Sequence, residues 1–306
     1  IAMTSLLAAA GLAGAAGANA TSYTPVVFMH GINGGPDDFN TLITRLTAAH
    51  PGQELHALDV FDHAMSFRPI WRQVPHITDV LRDLTKDFDE YHLACHSQGG
   101  IVCRAVIESM ADHKVATFVS LAGVQQGVRA IPSSISKYLP EWIQNVTDND
   151  AYKILYTDLG QTISFGNYWR DPAEDARAAY LKYDALLPVL DNDPESAATP
   201  PEDAGTAETR KANFLKVKDV HLFGSPGDGI VIPWDSSLFA TIDPSDPSGK
   251  STIAMDKQPL YINDWFGLRT LDQDGRLNAT AVDGVEHGEW LTRQDIFDTY
   301  LEPVLS

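Results

Sequence analysis

Short, continuous apolar runs alternate along this chain with longer stretches in which apolar residues recur every third or fourth position. Residues 25–30, 91–95 and 115–123 are runs of the first kind, and 55–60 and 217–224 are strand-like although polar residues interrupt them; all five predict strands. Residues 37–49 and 71–88 are of the second kind. In 71–88, Val74, Ile77, Val80, Leu81 and Leu84 fall on one helical face. Helical spacing returns at 296–305, which predicts a closing helix. Strands alternating with helices predict an α/β fold, a mostly parallel sheet flanked by helices. No internal repeat interrupts the pattern.

The alternation breaks between about 125 and 216. This stretch carries Tyr138, Trp142, Tyr152, Tyr156, Phe165, Tyr168, Trp169, Tyr180 and Tyr183. Within it, 191–209 is rich in Pro, Ala, Asp and Glu and predicts a mobile loop. An aromatic-rich insertion between core strands reads as a cap over an active site, able to shape an apolar groove for a long chain. Most of its aromatics are expected to form the cap's own small core.

Composition narrows the class. With 306 residues, 44% hydrophobic and 21% charged, the chain can build a sizeable core. A net charge of −19 disfavours nucleic acid and anionic membrane surfaces as partners. Near the start, 6–16 is almost entirely Leu, Ala and Gly, followed by Ala18-Asn19-Ala20. This predicts a signal peptide over 1–20 and one domain over 21–306, routed to the secretory pathway, although no basic residue precedes the run and the first residue is Ile. The run is too short for a transmembrane anchor. Asn145-Val146-Thr147 and Asn278-Ala279-Thr280 are glycosylation sequons, at a frequency chance also produces.

The chemistry centres on Cys95-His96-Ser97-Gln98-Gly99-Gly100, between a strand run and the helically spaced Val102, Ala105, Val106 and Met110. A serine at such a turn, with glycine two residues on, reads as a nucleophile elbow: strained backbone, exposed hydroxyl, helix N-terminus below it. Cys95 stands where the usual pattern has its first glycine. Cys95 and Cys103 are the only cysteines. They suit either a disulfide stapling the elbow or two small buried thiols, and their spacing does not suit zinc.

An elbow serine takes its partners in the order serine, acid, histidine. Of ten histidines only His287 follows Asp228, so His287 is the candidate base. The candidate acid is Asp228, between glycines in the loop after the late strand; Asp235 is the competitor and Asp219 lies too early. The oxyanion hole is expected from the backbone amides of Gln98 and of Ile32, the latter in the loop His30-Gly31-Ile32-Asn33-Gly34-Gly35. His30 is expected to support that loop. This chemistry asks for no metal or nucleotide cofactor.

Several words of the sequence resemble the palmitoyl-protein thioesterase family, and most of all its type 2, lysosomal thioesterase branch. They are Val26-Val27-Phe28-Met29-His30-Gly31, His92 to Gly100, Asn167-Tyr168-Trp169-Arg170-Asp171-Pro172, Gly227-Asp228-Gly229-Ile230-Val231-Ile232-Pro233-Trp234 and Phe266-Gly267-Leu268-Arg269-Thr270-Leu271. The elbow is common to many lipases; the Asn-Tyr-Trp and Gly-Asp-Gly words are more specific. The resemblance implies an α/β-hydrolase that cleaves long-chain acyl thioesters in the lysosome through Ser97, Asp228 and His287. It also implies a Cys95–Cys103 disulfide, since cysteine at position 95 marks that branch. An oxygen-ester lipase with the same triad, or a lipid binder without activity, would share the elbow.

Overall fold

The computed structural model describes residues 23–144, 146–246 and 251–306. The expected signal peptide, 1–20, and Asn145 lie outside them. The strands are β1 (Val26–Met29), β2 (Leu55–Ala57), β3 (Tyr91–His96), β4 (Val115–Leu121), β5 (Asp219–Gly224), the short antiparallel pair β6 (Thr241–Ile242) and β7 (Thr252–Ile253), and β8 (Leu277–Ala281). Six of them form one sheet in the order β2-β1-β3-β4-β5-β8, every pair parallel. The α/β-hydrolase expectation therefore meets a parallel sheet with helices on both faces.

Alternation along each strand feeds two cores. Val27, Met29, Leu93, Phe118, Val220 and Leu222 point into one, with helices α2 (Ile70–Leu84) and α3 (Gln98–Ser109). Val26, Phe28, Ala94, Val119, Leu121 and Phe223 point into the other, with helix α1 (Asn40–Ala49), Trp290 and Leu301. Because both faces are covered, the central strands read as continuous apolar runs. On α2 the predicted stripe holds: Val74, Ile77 and Leu81 are buried. That helix stops at Leu84, short of the predicted 88, where the Thr85 hydroxyl and amide both turn back to the Leu81 carbonyl.

Between β4 and β5 the chain forms short helices, among them Ser164–Asn167, Glu174–Tyr183 and Ala207–Phe214. Tyr156, Phe165, Tyr168, Trp169 and Tyr180 are buried there, with Phe165 centred 5.4 Å from Tyr168 and 5.9 Å from Trp169. The 191–209 stretch, expected as a mobile loop, is anchored at both ends. Asp191 is buried against Arg104 and Gln126, and Thr206 caps the helix Ala207–Phe214. Burial of one paired aspartate outweighs the polar composition around it.

Arg104, on α3, is fully buried. Its guanidinium donates to Glu108 at 2.7 Å and to Asp191 at 3.0 Å. It also lies 4.1 Å from the Phe266 ring centre and 5.0 Å from that of Phe239. The closing helix is broken: Gln294–Ile296 passes into a π-turn, Phe297–Leu301, and then a 3-10 turn, Glu302–Val304, that contains Pro303. Asn278 is exposed on β8. Among the described residues no helix is long and apolar enough to cross a membrane.

Candidate active site

Ser97 joins β3 to α3 with φ 56° and ψ −128°, a conformation that non-glycine residues avoid. Its neighbours hold it there. The Ser97 amide still donates to the Leu121 carbonyl of β4 at 2.9 Å, while its carbonyl already accepts from Gly100 at 2.9 Å. The turn is tight enough that a Cβ on Gly99 would sit 2.6 Å from the Met29 and His30 carbonyl oxygens, and one on Gly100 would sit 2.8 Å from Gly123 Cα. Position 95 needs no glycine because the Cys95 side chain goes into the core, where it is disulfide-bonded to Cys103 on α3.

Asp228 follows β5 and is buried. Its Oδ1 accepts the amides of Ile230 at 3.0 Å and Val231 at 2.7 Å, which fixes the carboxylate plane. His287 Nδ1 lies 2.8 Å from Asp228 Oδ2 and 3.0 Å from Oδ1. The His287 amide also donates to the Asp228 carbonyl at 3.2 Å. Ser225 braces both loops, its Oγ accepting from Gly227 at 3.0 Å and from Val285 at 3.1 Å. A carboxylate on Nδ1 places the proton there and leaves Nε2 free to act as a base. Nε2 of His287 and Oγ of Ser97 have no hydrogen-bond partner among the described residues. The competitor Asp235 accepts from Thr252 instead, and Asp219 lies exposed at the start of β5.

His96 ties the elbow to the histidine loop. Its Nε2 donates to the His287 carbonyl at 2.8 Å, and the two rings are centred 4.7 Å apart. Burial, aided by the adjacent His287, pushes the pKa of His96 down to about 3. His96 is therefore neutral, with its proton on Nε2.

The loop after β1 lies against Ser97: a Cβ on Gly31 would come 2.7 Å from Ser97 Cβ. The amides of Ile32 and Gln98 donate to no protein group among the described residues. His30 holds the loop as expected, its ring nitrogens 2.9 Å from the Gly31 carbonyl and 3.0 Å from that of Val60. A turn that sequence reasoning passed over, His63–Phe67, touches both amide-bearing segments through Ser66. A cavity of about 470 Å³ between Arg170–Arg177 and Thr241–Trp265 includes none of Ser97, Asp228 and His287 in its lining. No group of three or more His, Cys, Asp or Glu side chains suited to a metal occurs among the described residues.

Residues 25–287 match the family described as palmitoyl protein thioesterase. The chain belongs to the palmitoyl protein thioesterase family. It is 33% identical to lysosomal thioesterase PPT2-B of Xenopus laevis over 94% of this chain and 94% of the relative. To lysosomal thioesterase PPT2 of Homo sapiens it is 33% identical over 93% of this chain and 89% of the relative. A monoacylglycerol lipase from Paleococcus ferrophilus superposes with a TM-score of 0.42 and 14% identity, over 92% of this chain and 95% of that one. As a palmitoyl protein thioesterase, the protein is a thioester hydrolase with an α/β-hydrolase fold.

Proposed function

We propose that this thioesterase frees long-chain fatty acids from thioesters of the palmitoyl-CoA or S-palmitoyl type through a covalent acyl-enzyme. The observation that carries the reading is the His287 Nδ1–Asp228 contact at 2.8 Å, together with Ser97 held at φ 56° where β3 turns into α3. Ser97 Oγ attacks the thioester carbonyl as His287 Nε2 takes its proton. The oxyanion binds the Ile32 and Gln98 amides, at the start of α3, where the helix dipole adds to their pull. The C–S bond breaks, the thiol leaves with a proton from His287, and the acyl group stays on Ser97. Water, deprotonated by His287, then attacks the ester, and the fatty acid departs as Ser97 regains its proton. Asp228 holds the His287 tautomer and offsets the imidazolium charge.

The 125–216 segment serves as the cap that shelters the acyl chain. Likeness to the lysosomal relatives, with the N-terminal signal, supports passage through the secretory pathway to a lysosomal lumen or outside the cell.

The test is hydrolysis of palmitoyl-CoA beside a matched palmitate oxygen ester, by wild type and Ser97→Ala. Loss of a nucleophilic serine costs on the order of a million-fold in kcat. Thioester preference abolished in the variant is the expected result. Preference for the oxygen ester would make the protein a lipase. A folded wild type inactive on both substrates and unlabelled by a fluorophosphonate would make it a lipid binder.

A further inference from the structure

The turn His63–Phe67 carries Ser66, which is 1% exposed. Its hydroxyl is doubly engaged, accepting the Asn33 amide at 2.7 Å and donating to the His63 carbonyl at 2.5 Å. Its carbonyl accepts the side-chain amide of Gln98 at 2.9 Å and that of Gln73 at 3.1 Å. The same turn grips the loop a second time, the His63 amide donating to the Gly34 carbonyl at 2.7 Å. Gln98 also reaches toward the β4–β5 segment, its Oε1 accepting from the Tyr168 hydroxyl at 3.1 Å.

Asn33 directly follows Ile32 and sits in the left-handed region at φ 58°, so the loop needs an outside partner to hold its peptide planes. Gln98 begins α3 and has a free backbone N–H. The two segments belong to different parts of the chain, one after β1 and one after β3, and neither bonds directly to the other's amide. Ser66 is bonded to both segments, through its hydroxyl to the Asn33 amide and through its carbonyl to the Gln98 side chain.

We infer that Ser66 is a positioning residue for thioester hydrolysis, fixing the spacing between the Ile32 and Gln98 amides from a site that touches neither Ser97 nor the substrate. The inference rests on the proposed reading in which those amides bind the oxyanion. Ser66→Ala deletes the acceptor of the half-buried Asn33 N–H, so the loop turns to satisfy it elsewhere. A donor displaced by a fraction of an ångström weakens chiefly the interaction made in the transition state.

The experiment compares wild type with Ser66→Ala on palmitoyl-CoA and on two inhibitors. One is a palmityl trifluoromethyl ketone, which forms an oxyanion when Ser97 adds to it; the other is S-hexadecyl-CoA, a thioether with no carbonyl. Expected is a fall in kcat of about tenfold to a hundredfold with KM held within about twofold. Ketone affinity should fall by the same factor as kcat/KM, and thioether affinity should not move. Ketone affinity that survives the substitution overturns the inference. So does thioether affinity that falls as far, because that pattern is general damage to the site. If Ser66→Ala does not fold, Gln98→Met, which keeps the Ser66 hydroxyl, cuts the other half of the bridge, between the Gln98 side chain and the Ser66 carbonyl, and must give the same pattern. A wild type that forms no Ser97 adduct with the ketone refutes the underlying catalytic reading, and Ser66's role with it.

Discussion

Gly31→Ala tests how closely the loop after β1, the proposed carrier of an oxyanion-binding amide, is fitted to Ser97. The new methyl carbon would start 2.7 Å from Ser97 Cβ, 3.2 Å from Ser97 Oγ and 3.3 Å from the His96 carbonyl. Carbon atoms settle at about 3.5–4.0 Å, so the loop or the elbow must give by about 1 Å. The elbow is held by the bonds of Ser97 to Leu121 and Gly100, so the loop moves and takes the Ile32 amide with it. Misplacement of a catalytic group by ~1 Å can cost about a hundredfold in rate, equivalent to about 2.7 kcal/mol of barrier. Gly35→Ala is the control within the same loop: its methyl would come no nearer than 3.7 Å to any atom, and its backbone is extended. The assay is kcat/KM for palmitoyl-CoA, with a thermal melt to show that each variant folds. Gly31→Ala should fall about a hundredfold, and Gly35→Ala should match wild type. A folded Gly31→Ala within about threefold of wild type would refute the reasoning.

Two further changes probe the helix behind the serine. Glu108 and Asp191 share the single guanidinium of Arg104, but Asp191 also accepts from Gln126, whereas Glu108 Oε2 has no hydrogen-bond partner among the described residues. Burial, opposed by Arg104, pushes the Glu108 pKa up from 4.5 to about 7. The native state then binds the extra proton between those values, so this stabilisation is complete below about pH 4.5 and is lost as pH rises through 7. Glu108→Gln should therefore gain stability over wild type at pH 8 and not at pH 4.5, by up to on the order of 3 kcal/mol; urea melts giving a pH-independent difference would contradict this. The Cys95–Cys103 bridge closes a separation of 8 residues, for which loop entropy gives about 2.5 kcal/mol. Replacing both cysteines with alanine should cost about that much in urea unfolding, and no measurable cost would count against the bridge as a staple.

How legible the molecule was depended on whether a feature is local. The central strands β1, β3 and β4 stand out because both sheet faces are covered, leaving apolar runs such as Val26–Met29. β8 escaped notice because it pairs only with β5 at the sheet edge and buries only Leu277. The spacing of 296–305 does read as helical, but it cannot report the π-turn at Phe297–Leu301. In the site, the order of serine, acid and histidine singled out Asp228 and His287, which meet within hydrogen-bond distance. Ser66 carried no such signal. It sits in a 3-10 turn too short to show a period, and its partners Asn33 and Gln98 lie 33 and 32 residues away.

Arg104 has a consequence for the order in which the protein can be completed during synthesis. Its helix follows Ser97 directly, so that serine's support emerges early from the ribosome. Its second carboxylate, Asp191, lies 87 positions later, and the aromatic rings against which the guanidinium packs, Phe239 and Phe266, come later still. Until they arrive, the cation has Glu108 alone and no dry surroundings. The elbow cannot reach its final rigidity in a nascent chain that ends before Phe266, and His287 lies beyond that point. A partly made chain thus lacks both a settled Ser97 and the His287 that pairs with Asp228, so the geometry of the site waits on assembly of nearly the whole fold.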